Sequence, residues 1–309
     1  LLSGQAGYGA ETANSSWYTN DWGEKMKVLV TGCTGQLGFD VCRQLKKRNI
    51  EYYGAVRTDF DLRDESSVKN FVRKMKPTVI IHCAAYTAVD KAEDEKELCH
   101  SINVEGTKAL AEAGKEVNAK MVYISTDYVF PGRGSQFYEI NDNKEAVNVY
   151  GQSKLAGETV VRSILEKHFI VRISWVFGIN GHNFVRTMLK LAQDHDTLKI
   201  VDDQIGSPTY THDLAVLLCD MVASAKYGTY HATNEGVCSW KDFAEEIFRQ
   251  AKMDITVIGQ SSASYPTKAK RPLNSRLSKK SLDNAGFQRL PDWHDALYRY
   301  MKELKLAKD

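Results

Sequence analysis

The sequence predicts an α/β fold: a doubly wound parallel sheet followed by a smaller mixed α/β lobe. Three observations predict it. A short apolar run, Val28 to Val30, leads into Gly32, Gly35 and Gly38 and then into an apolar helical pattern. Strand, tight glycine turn and helix in that order open a Rossmann-like sheet. From residue 27 onward strand and helix signals alternate, which calls for parallel strands joined by crossover helices. After about residue 175 the alternation loosens into short helices separated by Gly, Pro and Ser.

Each element has a local reason. The first helix carries Leu37, Val41 and Leu45 on one face. Residues 51–56 read as the second strand. A helix over 66–76 presents Val68, Phe71, Val72 and Met75 together, and Pro77 ends it. Residues 79–83 are a buried strand, and a long helical stretch runs from about 93 to 117. Strands follow at 121–125 and 169–173. Beyond them, helices are expected near 182–194, 211–225, 239–252 and 292–304, with strand-like 199–201 and 228–232 between. Residues 26–175 therefore form the dinucleotide-binding domain, to which segments near 200–232 return, and 176–309 form mainly a substrate lobe. Residues 1–25 have no sustained period and no signal-peptide core. They read as a leader or an appended extension without fixed structure, and Trp17, Tyr18 and Trp22 are its aromatics. No internal repeat is present.

Composition narrows the function. Lys plus Arg is 41 and Asp plus Glu is 39 among 309 residues. That balance calls for neither nucleic acid nor a membrane surface as partner. No apolar run reaches the roughly 20 residues that span a bilayer. The six cysteines form no CxxC pair and there is no HExxH, so reduced core thiols in the cytoplasm are expected.

The glycine turn carries the first chemistry. It sets bare N–H groups and a helix N-terminus where a pyrophosphate can sit. The second element is Tyr150 and Lys154, four apart and so on one helix face. An ammonium beside a phenol favours the phenolate, and such a tyrosine can pass a proton to a carbonyl oxygen. Ser125, Thr126 and Asp127 stand just past a buried strand, at the end that faces the ligand crevice. A second Tyr-x-x-x-Lys, Tyr298 and Lys302, has no such strand before it and reads as a solvated helix. Cofactor choice follows from the second strand. It ends at Arg57, which suits the 2′-phosphate of NADPH, while Asp59 and Asp61 just beyond keep NADH open.

Seven segments stand in order: TGCTGQLG, CAAYTAVDKAE, STDYVF, YGQSKLAGE, RISWVFG, DQIGSPT and RPLNSRL. Together they resemble the dTDP-4-dehydrorhamnose reductase family of the extended short-chain dehydrogenase/reductase superfamily, from about Met26 to the C-terminus. The first and fourth identify only the superfamily, and the last three are narrower. The resemblance implies an oxidoreductase that binds NADPH or NADH on the turn of Gly32, Gly35, Gln36, Leu37 and Gly38. It implies reduction of the 4-keto group of dTDP-6-deoxy-L-lyxo-4-hexulose to dTDP-L-rhamnose, a precursor of cell-surface polysaccharide. Thr126, Tyr150 and Lys154 match the catalytic triad, with Lys154 also on the nicotinamide ribose. Ala84, Ala85 and Tyr86 match the loop beside the cofactor, and Asp61 and Leu62 the segment near the adenine. Thr87, Asp127, Tyr128 and Trp175 match the sugar pocket. Gln204, Ser207, Arg271 and Ser275 belong to segments flanking the nucleotide portion of the substrate. Core packing stays open for Trp175, and a surface cation for Arg271.

Competing classes follow from the same motifs. A 4,6-dehydratase commonly has Asp-Glu after the strand-end Thr, and here Asp127 is followed by Tyr128. An epimerase uses the same Tyr and Lys. A non-catalytic relative, the beta subunit of methionine adenosyltransferase, keeps dinucleotide-binding features without needing all of these residues. Some family members form a homodimer contact through Mg²⁺ and glutamates. Asp40 stands in the first helix where such a carboxylate could lie, and no metal ligand set is assigned.

Overall fold

The computed structural model describes residues 25–305, so the leader expected over 1–25 lies outside the described residues except for Lys25. The first half alternates as the pattern requires. It runs β1 (Lys27–Thr31), α1 (Gln36–Lys47), β2 (Glu51–Ala55), α2 (Glu65–Met75) and β3 (Val79–His82). It continues through α3 (Val89–Ala92), α4 (Lys96–His100), α5 (Gly106–Glu116), β4 (Lys120–Thr126), α6 (Val149–Ile164) and β5 (His168–Ile173). One six-stranded parallel sheet results, in the order Gly228–His231, β5, β4, β3, β1, β2.

Both faces of the sheet are covered, as near-continuous apolar strands demand. Leu37, Val41 and Leu45 of α1 pack with Leu214 and Leu218 of the helix Thr211–Val222 on one face. Val68, Val72, Leu110 and Val161 of α2, α5 and α6 cover the other. The second lobe has its own core, including Phe177, Val185, Phe243, Trp293 and Tyr300. Of the stretch near 200–232, Thr211–Val222 and Gly228–His231 return to the main sheet. The strand Thr197–Val201 pairs instead with Thr256–Gln260 in the second lobe. Among the described residues, no helix is long and apolar enough to cross a membrane.

The expected long helix over 93–117 is broken. Helical structure begins already at Val89, and a π-helical turn, Ser101–Glu105, separates α4 from α5. The π turn presents Asn103 to the neighbouring loop: its Nδ2 donates to the Tyr86 carbonyl at 3.1 Å and its Oδ1 accepts from the Tyr86 N–H at 2.8 Å. A single-turn π bulge inside a helix often re-aims a side chain in this way. Periodicity alone does not reveal it.

Two buried polar systems tie helices to the sheet. Glu158 and Arg172 are both 0% exposed. Arg172 donates from Nε and Nη2 to the two Glu158 oxygens, each at 2.7 Å, and Ser125 Oγ adds a third bond at 2.6 Å. Arg172 Nη1 also meets the Ile140 carbonyl at 3.0 Å and His231 Nε2 at 3.2 Å. In the second system His82 lies between Thr31 Oγ1 (2.7 Å) and Thr107 Oγ1 (3.1 Å). Thr107 already donates to the Asn103 carbonyl at 2.8 Å, so it accepts from His82 Nε2–H.

Two outcomes are expected. Arg172→Met leaves the buried Glu158 charge only the half-exposed Arg162, 3.5 Å away, and stability should fall by about 3–5 kcal/mol, read from urea unfolding. A loss below about 1 kcal/mol, the scale of an exposed pair, overturns the assignment. The second outcome concerns pH. Burial pushes both His82 and His231 down to about 3. The unfolded chain takes up those protons near 6.5, so the contribution of these two histidines to stability is complete above that value and declines as pH falls from about 6.5 toward 3. Asp127, raised by burial to about 6, offsets one proton between 6 and its unfolded value. Urea midpoints at successive pH values should therefore fall below pH about 6.5; a flat profile down to pH about 5 contradicts it.

Candidate active site

A cleft of about 820 Å³ opens across the carboxyl ends of the parallel strands. At one end β1 turns into α1. Gly32 has φ +68°, and a Cβ there would lie 2.7 Å from the Ala84 nitrogen. A Cβ on Gly38 would lie 2.2 Å from the Gly32 carbonyl oxygen, so the helix can enter this close to the turn only with glycine. Gly35 caps α1 with no side-chain acceptor. The first N–H groups of the helix are thus left to an anion, and a dinucleotide pyrophosphate fits this cradle. Gly32, Gly35, Gln36 and Leu37 line the cleft; Gly38 packs beneath it.

Next along the cleft come Arg57, Asp61, Leu62 and Arg63. The carboxylates that kept NADH open are engaged elsewhere. Asp59 accepts from Tyr53 Oη and the Val56 N–H, each at 2.8 Å. Asp61 accepts from Arg63 Nε at 3.0 Å and Nη2 at 2.5 Å, and the Arg63 hydrogen bonds hold it down to about 2. Arg57 keeps its place on the wall, which favours a 2′-phosphate. Ala84, Ala85, Tyr86 and Thr87 form the facing loop. Thr31 Oγ1 accepts from the Ala84 N–H at 3.2 Å, and Asn103 pins Tyr86.

Thr126, Tyr150 and Lys154 meet on the far wall with Asp127 and Tyr128. Thr126 ends β4, and its hydroxyl donates to Asp127 Oδ1 at 2.9 Å. Asn148 caps α6 by accepting from the Gly151 N–H at 2.7 Å. Two glycines let α6 press onto its neighbours. A Cβ on Gly151 would lie 2.3 Å from the Tyr128 carbonyl, and one on Gly157 would lie 2.1 Å from Tyr123 Oη. Lys154 Nζ sits 4.0 Å from the centre of the Tyr123 ring. Tyr150 meets Tyr128 edge-on at 5.8 Å.

The electrostatics correct one expectation. A lowered Tyr150 phenol is expected beside Lys154. Burial instead pushes the phenol up, the Asp127 charge adds to the rise, and only the Thr126 hydrogen bond opposes it. Burial pushes Lys154 down to about 7, with Glu158 offsetting part of the shift. Asp127 is pushed up to about 6 by burial, against hydrogen bonds from Ser275 and Thr126. Tyr150 is therefore held in its proton-donating form.

Trp175 lines the cleft in a left-handed conformation, φ 51°. Its indole stacks on Trp240 at 3.8 Å and 15°. On another side it lies where a Cβ on Gly206 would come within 2.9 Å. Packing on both sides holds a backbone conformation that a bulky residue otherwise avoids. Gln204 accepts from Trp240 Nε1 at 3.2 Å. Gln204, Ser207, Arg271 and Ser275 do not line the cleft. Ser207 Oγ is bound to the Gly236 carbonyl at 2.6 Å, and Ser275 donates to Asp127 Oδ2. Arg271 lies behind Tyr128, with Nη1 3.3 Å from its hydroxyl and Nη2 2.7 Å from Asp90. Asp40, the suggested metal carboxylate, accepts from Thr211 Oγ1 at 2.5 Å and from Arg43 at 3.0 Å.

Sequence reasoning missed Trp240, Asn103, Glu158 and Asp90. Trp240 had one faint signal, an aromatic opening a helix with a Ser239–Asp242 capping box. Nothing in the spacing ties it to Trp175.

Comparison with known proteins gives a concordant result. Residues 26–306 match the family model described as the RmlD substrate binding domain. The spore coat polysaccharide biosynthesis protein SpsK of Bacillus subtilis is 39% identical, over 92% of this chain and 99% of its own length. The crystal structure of a dTDP-4-dehydrorhamnose reductase from Clostridium acetobutylicum is 41% identical with TM-score 0.89, covering 91% of this chain and 100% of that one. The same enzyme from Bacillus anthracis, in complex with NADP, is 41% identical with TM-score 0.88, covering 90% and 99%.

Proposed function

Because this chain belongs to the RmlD substrate-binding-domain family, among whose relatives are the dTDP-4-dehydrorhamnose reductases, we propose that it reduces dTDP-6-deoxy-L-lyxo-4-hexulose to dTDP-L-rhamnose with NADPH. The observation that carries this reading is the convergence of Thr126, Tyr150 and Lys154 on one wall of a cleft whose other end is the glycine cradle.

When bound, NADPH supplies the hydride that reaches C4 of the sugar. The chain's own residues do the rest. The turn from Gly32 to Leu37 receives the pyrophosphate, and Arg57 the 2′-phosphate. Thr126 orients the 4-keto oxygen. Tyr150, protonated by virtue of its burial, donates its proton to the oxygen that develops negative charge. Lys154, once charged, stabilises the phenolate left behind and holds the nicotinamide ribose. Asp127 and Tyr128 bound the sugar pocket beside Thr87, and the stacked Trp175–Trp240 pair adds apolar surface to it. Residues 26–175 with 211–231 make the dinucleotide half, and the remaining segments the substrate half. Six free thiols suit a cytoplasmic setting.

The test follows nicotinamide absorbance with dTDP-4-keto-6-deoxyglucose, with and without a 3,5-epimerase. Oxidation that depends on the epimerase supports the proposal; none under either condition overturns it. In that assay Tyr150→Phe should lower kcat by about 10²–10⁴-fold, the range of lost general acid catalysis, with NADPH affinity nearly unchanged. Undiminished turnover removes Tyr150 as proton donor. Arg57→Ala should weaken NADPH binding by about tenfold or more, the scale of one charge-assisted contact, and NADH far less. Equal losses for both cofactors in fluorescence titrations remove Arg57 from the 2′-phosphate.

A further inference from the structure

The loop 178–183 leads into the second-lobe helix Phe184–Leu191, yet its side chains close on the glycine turn of the first lobe. Asn180 Nδ2 donates to the Thr34 carbonyl at 2.7 Å. Gly181, at φ +80°, comes so near that a Cβ on it would lie 3.3 Å from Gln36 Cγ. Asn183 is 8% exposed, and its Nδ2 donates to Gln36 Oε1 at 3.1 Å and to the Gly178 carbonyl at 2.9 Å. A loop of one lobe thus holds both backbone and side chain of a turn in the other.

The hydrogen bonds decide which way both amides face. Asn183 caps the helix Phe184–Leu191, and its Oδ1 accepts from the Arg186 N–H at 3.0 Å. A backbone N–H can only donate and the Gly178 carbonyl can only accept, so the oxygen and nitrogen of Asn183 are fixed. The nitrogen meets Gln36 as well, so Gln36 turns its Oε1 toward it. Gln36 lines the cleft as the first residue of α1, beside the helix N–H groups that Gly35 leaves uncapped. Among the described residues no acceptor meets its Nε2. Gln36 therefore offers the cleft an NH₂ donor next to the donors of the turn, and such a set suits an anion.

We propose that Asn183 is a positioning residue for the cofactor: it turns Gln36 so that Nε2 donates to the pyrophosphate of the dinucleotide, which makes the loop 178–183 part of the cofactor site. This rests on the reading above, in which the glycine turn receives the pyrophosphate. Asn183 itself touches no ligand. The pyrophosphate is common to NADPH and NADH, so the contact serves both alike, in contrast to Arg57. An amide held beforehand also loses less freedom when the ligand arrives.

The test is fluorescence titration of NADPH and of NADH into the full chain. The variants are Gln36→Met, Gln36→Glu, Asn183→Ser, and Gln36→Met combined with Asn183→Ser. Gln36→Met removes the donor at nearly unchanged length and should weaken both cofactors by about tenfold, as for one charge-assisted hydrogen bond. Gln36→Glu keeps an acceptor for Asn183 and aims its second oxygen at the pyrophosphate, so it should weaken both further. Asn183→Ser keeps a capping oxygen and frees the Gln36 amide. It should weaken both cofactors, add nothing to Gln36→Met in the double variant, and raise KM for NADPH by a larger factor than it lowers kcat. Urea unfolding should leave the Gln36 variants near the parent, so their comparison decides the aim of the amide even where Asn183→Ser loses stability. Gln36→Glu binding no more weakly than Gln36→Met overturns the proposal. Additive losses overturn it, since Asn183 would not act through Gln36. A loss confined to NADPH overturns it too, because the contact would lie on the 2′-phosphate. Undiminished binding in Gln36→Met overturns the proposal alone, whereas a parent that binds neither cofactor overturns the cofactor reading and the proposal with it.

Discussion

Glu158 and Arg172 carry opposite charges entirely out of water, and the arrangement of the site depends on their being satisfied together. Desolvating two ions costs more than their attraction returns unless every remaining donor and acceptor has a partner. Here the extra partners come from separate elements: Ser125 from β4, the Ile140 carbonyl from the following loop, and His231 from the edge strand. Meeting all of them fixes α6 against three neighbouring strands at once. Ser125 precedes Thr126, and Glu158 lies one turn beyond Lys154. The network that satisfies a buried charge therefore also sets the distance between the hydroxyl and the Tyr-Lys pair.

Close backbone approach does the complementary work. Gly38, Gly151 and Gly157 all lie where a Cβ would meet another group at 2.1–2.3 Å. They bring α1 and α6 close to their neighbours, and burial beside the cleft moves its ionisable groups toward their neutral forms. Lys154 falls to about 7 while Asp127 rises to about 6 and Tyr150 moves further from ionising. All three shifts favour the neutral form, as burial does for any ionisable group, and they leave Tyr150 as the proton donor of the set.

The glycine turn, the alternation and the Tyr-Lys spacing were legible because each is a local pattern. A turn needs glycines at fixed offsets, and a helix face repeats every 3.6 residues. Thr126 was legible because it follows a strand. The rest arises between distant segments. Trp240 meets Trp175 across 65 residues of chain, Asp90 meets Arg271 across 181, and neither leaves a periodic trace. The π turn at Ser101–Glu105 escaped because one residue of slippage hardly alters an apolar pattern. The direction of the Tyr150 shift escaped because burial depends on the whole cleft, whereas the spacing to Lys154 supplies only the opposing charge.

The two lobes are joined at both ends of the interface between them. At one end, Asp40 of α1 is 1% exposed and bound by Thr211 and Arg43, and Arg43 reaches on to Glu303 of the C-terminal helix at 2.7 Å. Asp213 nearby is held by both Arg299 nitrogens and by Asn234. Buried carboxylates with several donors are little affected by salt. At the other end, residues 268–271 are held by the solvent-open pairs Lys268–Asp94 and Arg271–Asp90 together with the Ala269 N–H on Asp90 and the buried Asn148 amide on the Lys270 carbonyl. Each end thus combines buried hydrogen bonds with charges that reach water, so both walls of the cleft are tied across the lobes.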